Sequence, residues 1–364
     1  MNMGQNLTTA YGPGLWELLN TRANEEELNK SAGEGINQIH NLRPYADPKK
    51  RTMFILAPGA SLTMYKDWLP RMKETGYVLA SPTACPYLVK QAGVTPDLVM
   101  VVDAHPASVG MVELSGAHLD PHCQLVMSLE APPTMPTLFG RDRTYWVRTA
   151  MPGPDGSLDW EPYSVFQNLL AGLVRVRIAQ MGCVTNMMIG LTMALHEYAG
   201  WEWDRIVLVG CDYGYWKGWS RVPLDGSAKM VKFDKTCKSN MKDGMWSDRR
   251  MVRYKGSLLM MWLQARMNIW TMSHGILREF PRITPRQIDS GKWPAYPNGQ
   301  KLADKIYEWA KWYQATDIFQ KESKHEADVA GDIQRADGVD ADGSGSGDHD
   351  GPGDSGSETG GDRA

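Results

Sequence analysis

Short apolar runs recur along the chain, each closed by Gly, Pro, Asp or Ser, and between them apolar positions fall at helical spacing. "RTMFILA", "YVLAS", "PDLVMVVDAHP", "CQLVMSLEAP", "TYWVRTAM", "DRIVLVGCDYGYW" and "NIWTMSHG" read as strands. "LTMYKDWLPRMKETG", "ACPYLVKQAG" and "SLLMMWLQARM" read as helices, with Pro70 bending or ending the first half of its segment. The stretch from Tyr163 to Gly200 reads as mostly helical, with a break near Met181 and Gly182. The strands are apolar throughout rather than alternating. Such strands are buried on both faces, which predicts an α/β fold: a Rossmann-like parallel sheet with helices on both faces.

Three regions follow from this pattern. Residues 1–45 are expected to form a helical lead-in, with Leu15, Leu18 and Leu19 at helical spacing and packed on the main domain. Residues 46–320 are expected to hold the α/β domain. Residues 321–364, rich in Asp, Gly and Ser with almost no large apolar side chain, are expected to be a disordered acidic tail, because they cannot bury enough surface to offset their ordering entropy.

Composition narrows the class of protein. With 42% hydrophobic and 22% charged residues, the chain of 364 is of ordinary globular type. Much of the acidity lies in the tail, so the net charge of −3 leaves the body near neutral. No field of one sign points to a specific nucleic-acid partner. Five dispersed cysteines without a CxxC pair, and an N-terminus with no charged-then-apolar pattern, lead to the expectation of a cytoplasmic protein with reduced thiols. No apolar run approaches the roughly 20 residues of a membrane-spanning helix. The abundant tryptophans leave room for an oligomer interface.

In an open parallel sheet, ligands lie beyond the carboxyl ends of the strands, so the residues just after each strand carry the candidate chemistry. The loop "APGASL" has Gly59, where backbone approaches a ligand closely, then Ala60 and the hydroxyl of Ser61 at a helix start. That is either an anion cradle or a plain turn, and it matches neither GxxxxGK[ST] nor GxGxxG. Asp103 ends "VMVVD", and Asp212 ends "VLVGCD"; two strand-end carboxylates converging on one crevice suit a metal, a ribose hydroxyl or a base. Each also reads as a turn former. Tyr213, Tyr215 and Trp216 suit stacking on a base or sugar, or merely cover the sheet edge. In "GCVTN", Thr185 and Asn186 offer hydroxyl and amide contacts, or Thr185 caps a helix. His105 reads as a surface-loop residue. Pro121 spoils helical alignment in "HLDPHC", so a zinc site at His118, His122 and Cys123 is not expected. No GxSxG elbow and no nucleophile pair stands out.

The order of these pieces resembles the 6-hydroxymethylpterin diphosphokinase MptE-like family, which includes motility accessory factor flagellin glycosyltransferases and is similar to bacterial sialyltransferases. The resemblance rests on Gly59-Ala60-Ser61-Leu62, Thr83-Ala84, Gly93-Val94-Thr95-Pro96-Asp97, Asp103 and Gly210-Cys211-Asp212, and on "SHGILREFPRITPRQI", over roughly residues 50–290. Ala60 replaces the family's usual loop proline, and Cys211 replaces a residue that is often polar. The resemblance implies a transferase with a nucleotide donor. In one version ATP with Mg²⁺ gives diphosphate to a hydroxymethylpterin-like hydroxyl. In the other a CMP-activated acidic sugar passes to a small-molecule or glycan acceptor. A non-catalytic nucleotide-binding module is the third reading. It also implies cofactor-binding roles for Gly59, Ala60, Ser61, Thr83, Thr185, Asn186 and Tyr213, and catalytic or Mg²⁺-holding roles for Asp103 and Asp212.

Overall fold

The computed structural model describes residues 15–30, 37–42, 50–150, 174–179, 182–215, 219–222, 231–232, 239–241 and 245–315. The chain divides into two compact units, Met1–Glu308 and Trp309–Ala364. The expected acidic tail lies outside the described residues.

In chain order the elements are α1 (Leu15–Lys30), β1 (Thr52–Leu56), α2 (Leu69–Thr75), β2 (Gly76–Ala80), α3 (Cys85–Ala92), β3 (Leu98–Val101), α4 (Ala107–Ser115), β4 (Gln124–Ser128), α5 (Met135–Phe139), β5 (Thr144–Ala150), β6 (Arg177–Ala179), α6 (Val184–Ala199) and β7 (Arg205–Val209). Short ribbons follow, β8 (Trp219–Arg221) with β9 (Val231–Lys232) and β10 (Ser239–Met241) with β11 (Met245–Ser247). Then come α7 (Arg249–Ala265), β12 (Ile269–Thr271), α8 (Pro285–Asp289) and α9 (Gly299–Ala315).

Eight strands form one sheet in the order β12-β7-β1-β2-β3-β4-β5-β6, and every pairing in it is parallel. The α/β reading of the apolar pattern therefore holds: every residue of β1, β2, β3 and β5 is buried, as strands covered on both faces require. Pro70 sits in the first turn of α2, where its missing N–H is no loss, so it starts that helix, and a 3₁₀ turn at Ala60–Tyr65 precedes it. Between Tyr163 and Gly200 the structure differs from the expected helix. Residues 177–179 form the edge strand β6, and helix begins only at Val184; residues 163–173 lie outside the described residues. Two β-branched or aliphatic positions in so short a segment leave no periodicity for a sequence reading to find.

The strand order positions the site. From β1 the chain adds strands in one direction to β6, then returns to place β7 and β12 on the other side of β1. The reversal between β1 and β7 is a topological switch point, where the loops leaving adjacent carboxyl ends diverge and open a crevice.

The opposite part of the carboxyl edge is roofed. Helix α1 docks there through Asn20 and Asn24 as well as through Leu28, which is buried in the apolar core, while Leu19 is exposed. Asn20 Nδ2 donates to Ala104 O and Glu130 O, both at 2.9 Å. Asn24 Nδ2 donates to Leu129 O at 2.7 Å and Ala131 O at 2.9 Å. The carbonyls beyond the ends of β3 and β4 have left the ladder and need donors, which two amides one helical turn apart supply. Beneath them Glu17 Oε2, Thr21 Oγ1 and Glu130 Oε2 are buried with no hydrogen-bond partner. Burial pushes both carboxyls above their usual range; Asp103 adds to the rise at Glu17, and Glu17 to that at Glu130. Because the folded-state values are raised, the stability these groups contribute is full below pH 4.5, the ordinary value, and is lost as pH rises through the folded values. Replacing Glu130 by Gln is therefore expected to raise the melting temperature relative to the parent by more at pH 8 than at pH 5. A difference that narrows with rising pH would contradict this.

Candidate functional site

The loop after β1 is a braced turn. Gly59 N donates to Gly210 O at 2.8 Å and Leu62 N to Gly59 O at 3.0 Å. Ser61 donates its amide to Asp212 Oδ2 at 2.9 Å and its hydroxyl to Asp212 Oδ1 at 2.5 Å. Asp212 Oδ1 also accepts His274 N at 3.2 Å. Ala60 and Ser61 are fully buried. The reading of Gly59–Leu62 as an anion cradle is thus corrected: the amides of Gly59, Ser61 and Leu62 are spent inside the protein, and only the edge of Gly59 reaches a cavity. Gly59 is required here, since a Cβ on it would meet Gly210 O at 2.2 Å and Asp212 Oδ2 at 2.6 Å.

Asp212 is a structural clasp between β1, β7 and the segment after β12. It is 2% exposed. Burial pushes its carboxyl up, and the hydrogen bonds from Ser61 and His274 oppose that rise. On its other side the segment after β12 comes so close that a Cβ on Gly275 would lie 1.5 Å from Asp212 O. Asp103 is elsewhere. It is exposed, its Oδ1 accepts His105 N at 2.9 Å, and its charge is felt by Glu17 of α1. The expected convergence of Asp103 and Asp212 on one crevice does not occur. The physical reason is topological: β3 lies two strands from β1 on the side away from β7, under α1. Magnesium does not fit this pair, since one carboxylate is saturated by donors and the other lies outside the cavity. Among the described residues no group of three or more His, Cys, Asp or Glu side chains is placed to hold a metal ion.

At the switch point opens a cavity of about 530 Å³. Of the expected site residues Gly59, Thr83, Thr185, Asp212 and Tyr213 line it. Asn186 stands just behind its wall, fully buried, donating to Tyr254 O at 2.8 Å and accepting the Tyr213 hydroxyl at 2.5 Å. It positions the tyrosines rather than facing a ligand. Tyr213 itself holds a left-handed backbone, φ 49°, a strained choice for an aromatic residue that aims its ring under the cavity. Trp216 lies outside the described residues.

Helix α6 presents its N-terminus to the cavity through Cys183, Val184 and Thr185. Burial pushes the pKa of the Cys183 thiol up to about 11, against the pull of the Asn186 and Thr185 amides. Three further groups of the cavity wall, Arg221, Arg250 and Tyr254, were not legible in the sequence. Arg221 arrives because β8 lies against the turn, with Val222 N donating to Pro58 O at 2.8 Å and Gly59 bridged antiparallel to Arg221. The residue is exposed as a whole, yet burial around it lowers its pKa, so an anion beside it would be welcome. Arg250 and Tyr254 sit on the first turns of α7, whose N-cap Asp248 accepts Met251 N at 2.9 Å and the Tyr215 hydroxyl at 2.9 Å. The only sequence signal for this wall was an Asp at a helix start followed by paired arginines.

The fold and this crevice define the class: an open parallel α/β protein with a cavity at its switch point, edged by a helix N-terminus, two guanidiniums and tyrosines. No family model and no curated protein matches the sequence. Among solved structures the chain is similar to the MAf glycosyltransferase from Magnetospirillum magneticum AMB-1, at 16% identity and a TM-score of 0.46, over 75% of this chain and 38% of that one. The chain thus spans well under half the length of that glycosyltransferase. Among the described residues no helix is long and apolar enough to cross a membrane.

Proposed function

We propose that this protein is a transferase that seats a nucleotide-activated sugar in the switch-point cavity and passes the sugar to a hydroxyl acceptor. One observation carries the reading: the α6 N-terminus, Arg221 and Arg250 converge on one cavity whose only carboxylate among the described lining residues, Asp212, is already bonded to Ser61 and His274. Such a site attracts a phosphate and has no open acid to repel it. Its volume suits a nucleotide-sized ligand. Tyr215 and Tyr254 offer faces for a base or sugar.

In the reaction the acceptor oxygen bonds to the anomeric carbon while the bond from that carbon to the phosphate oxygen breaks. The electron pair leaves on the nucleotide phosphate, and the acceptor's proton passes to solvent. The guanidiniums and helix amides face the charge that grows on the leaving group, so they hold it more tightly in the transition state than before it. Diphosphoryl transfer from ATP asks for more. Its larger charge calls for Mg²⁺ on open carboxylates, which the residues of this cavity do not supply. A CMP-linked donor, leaving as a monophosphate, matches the cations present.

Thermal-shift titration separates these readings, because a ligand of the folded state alone raises the melting temperature by mass action. CMP is expected to stabilise the protein equally with and without Mg²⁺. Arg250→Ala is expected to weaken that binding about tenfold, the loss of one charge-assisted contact worth about 1.4 kcal/mol. Stabilisation by ATP only with Mg²⁺, and none by CMP, would instead favour the diphosphokinase reading.

A further inference from the structure

A second concentration of cations, which the proposed transfer does not use, lies beyond the carboxyl end of β12. The segment carrying it is rigidly held. Thr271 N donates to Pro281 O at 3.0 Å, and Ile283 N returns to Thr271 O at 3.1 Å, so this stretch pairs alongside β12 through a parallel bridge between Thr271 and Arg282. Lys255 of α7 is buried, donates to Ile276 O at 2.9 Å and pairs with Glu279 Oε1 at 2.7 Å. Glu279 Oε2 takes the Arg278 amide at 3.1 Å. Phe280 packs edge-on against Trp262, ring centroids 6.5 Å apart.

On this base opens a cavity of about 470 Å³, walled by Phe280, Pro281 and Pro297 and rimmed by Arg278, Arg282 and Lys305. Glu279 is the one acid among the described lining residues, and the Lys255 ammonium behind it balances its charge. Arg282 is steadied by a neutral partner. The Tyr65 hydroxyl donates to Met272 O at 2.5 Å, so its oxygen is left to accept a proton from His274 Nε2 at 3.0 Å. Nδ1 of that ring is then unprotonated and faces Arg282 Nη1 at 3.5 Å. An imidazole nitrogen orients the guanidinium without cancelling its charge.

We propose that this second cavity binds a small ligand through a phosphoryl group. Two guanidinium forks and an ammonium around one opening match the several oxygens of a phosphate, and the Phe280 and proline wall gives the rest of the ligand an apolar rest. Preformed backbone beneath the cations means that binding orders only side chains. The site is independent of the sugar-transfer reading, since it shares no lining residue with the switch-point cavity.

The test is calorimetric titration of the full chain with inorganic pyrophosphate, made on an Arg250→Ala background so that the switch-point cavity contributes least. Binding is expected to persist there and to fall at least tenfold when Arg282→Ala and Lys305→Ala are added. Lys305→Ala alone, at an exposed helical position where folding is not at stake, is expected to weaken it several-fold. Arg282→Lys should retain more affinity than Arg282→Ala. Undiminished binding in the double substitution, loss of all binding on the Arg250→Ala background, or no binding to the parent chain would each overturn the proposal.

Discussion

Asp212→Ala is expected to lower the melting temperature by roughly 6 °C, the largest effect of any single side-chain truncation around the site. Its carboxylate accepts the Ser61 amide, the Ser61 hydroxyl and the His274 amide, and is itself buried. Truncation orphans these buried donors, each at a cost of about 1–3 kcal/mol; partial relaxation and water entry bring the net to about 4 kcal/mol. Asp212→Asn should lose about half as much, because one oxygen still accepts while its NH₂ is turned against the Ser61 amide. Chemical denaturation of the three proteins measures this. If Asp212→Ala unfolds at the parent's midpoint, the clasp is not what holds β1, β7 and the segment after β12 together. CMP binding should fall as well in both variants, since the Ser61 contacts fix the turn that holds Gly59 and Tyr213 follows Asp212 directly in the chain.

Gly59→Ala carries the second large expectation. The new Cβ would fall 2.2 Å from Gly210 O and 2.6 Å from Asp212 Oδ2. The first of these is backbone in a sheet loop and cannot step aside. Gly59 N is also bonded to that same Gly210 oxygen, so relief of the clash breaks the hydrogen bond. Overpacking of this kind costs about 3 kcal/mol, or roughly 5 °C in melting temperature. Ligand affinity at the cavity should drop more steeply than stability, because the turn forms part of the cavity wall. A Gly59→Ala protein as stable as the parent, with unaltered CMP binding, would show that the turn moves freely and does not shape the site.

Both predictions arise from the same loop, and the sequence showed only half of what it does. "FILAPGASL" announces a buried strand, a turn and a helical segment, and that is what forms. Gly59 was recognisable as a close-approach position. What it approaches, the carbonyl of Gly210 and the carboxylate of Asp212, lies far along the chain and became visible only with the parallel pairing of β1 and β7. Asp103 and Asp212 look alike as strand-end acids, yet one is exposed beside α1 and the other is sealed under three donors. Local sequence carries no information about which strand ends are neighbours. Helix α1 teaches the same lesson. Its existence was legible, but beside the buried Leu28 its docking face uses Asn20 and Asn24, because part of what it meets is a row of carbonyls.

The chain by itself determined the local elements: apolar runs too short for helices and too uniform for half-exposed strands had to become the interior of a parallel sheet. Tertiary structure alone decided where the chemistry collects. The reversal of strand order between β1 and β7 opens the crevice, and β8 and α7 bring Arg221 and Arg250 to it. Long-range order of that kind depends on which surfaces bury each other, a property of the folded whole and not of any one segment.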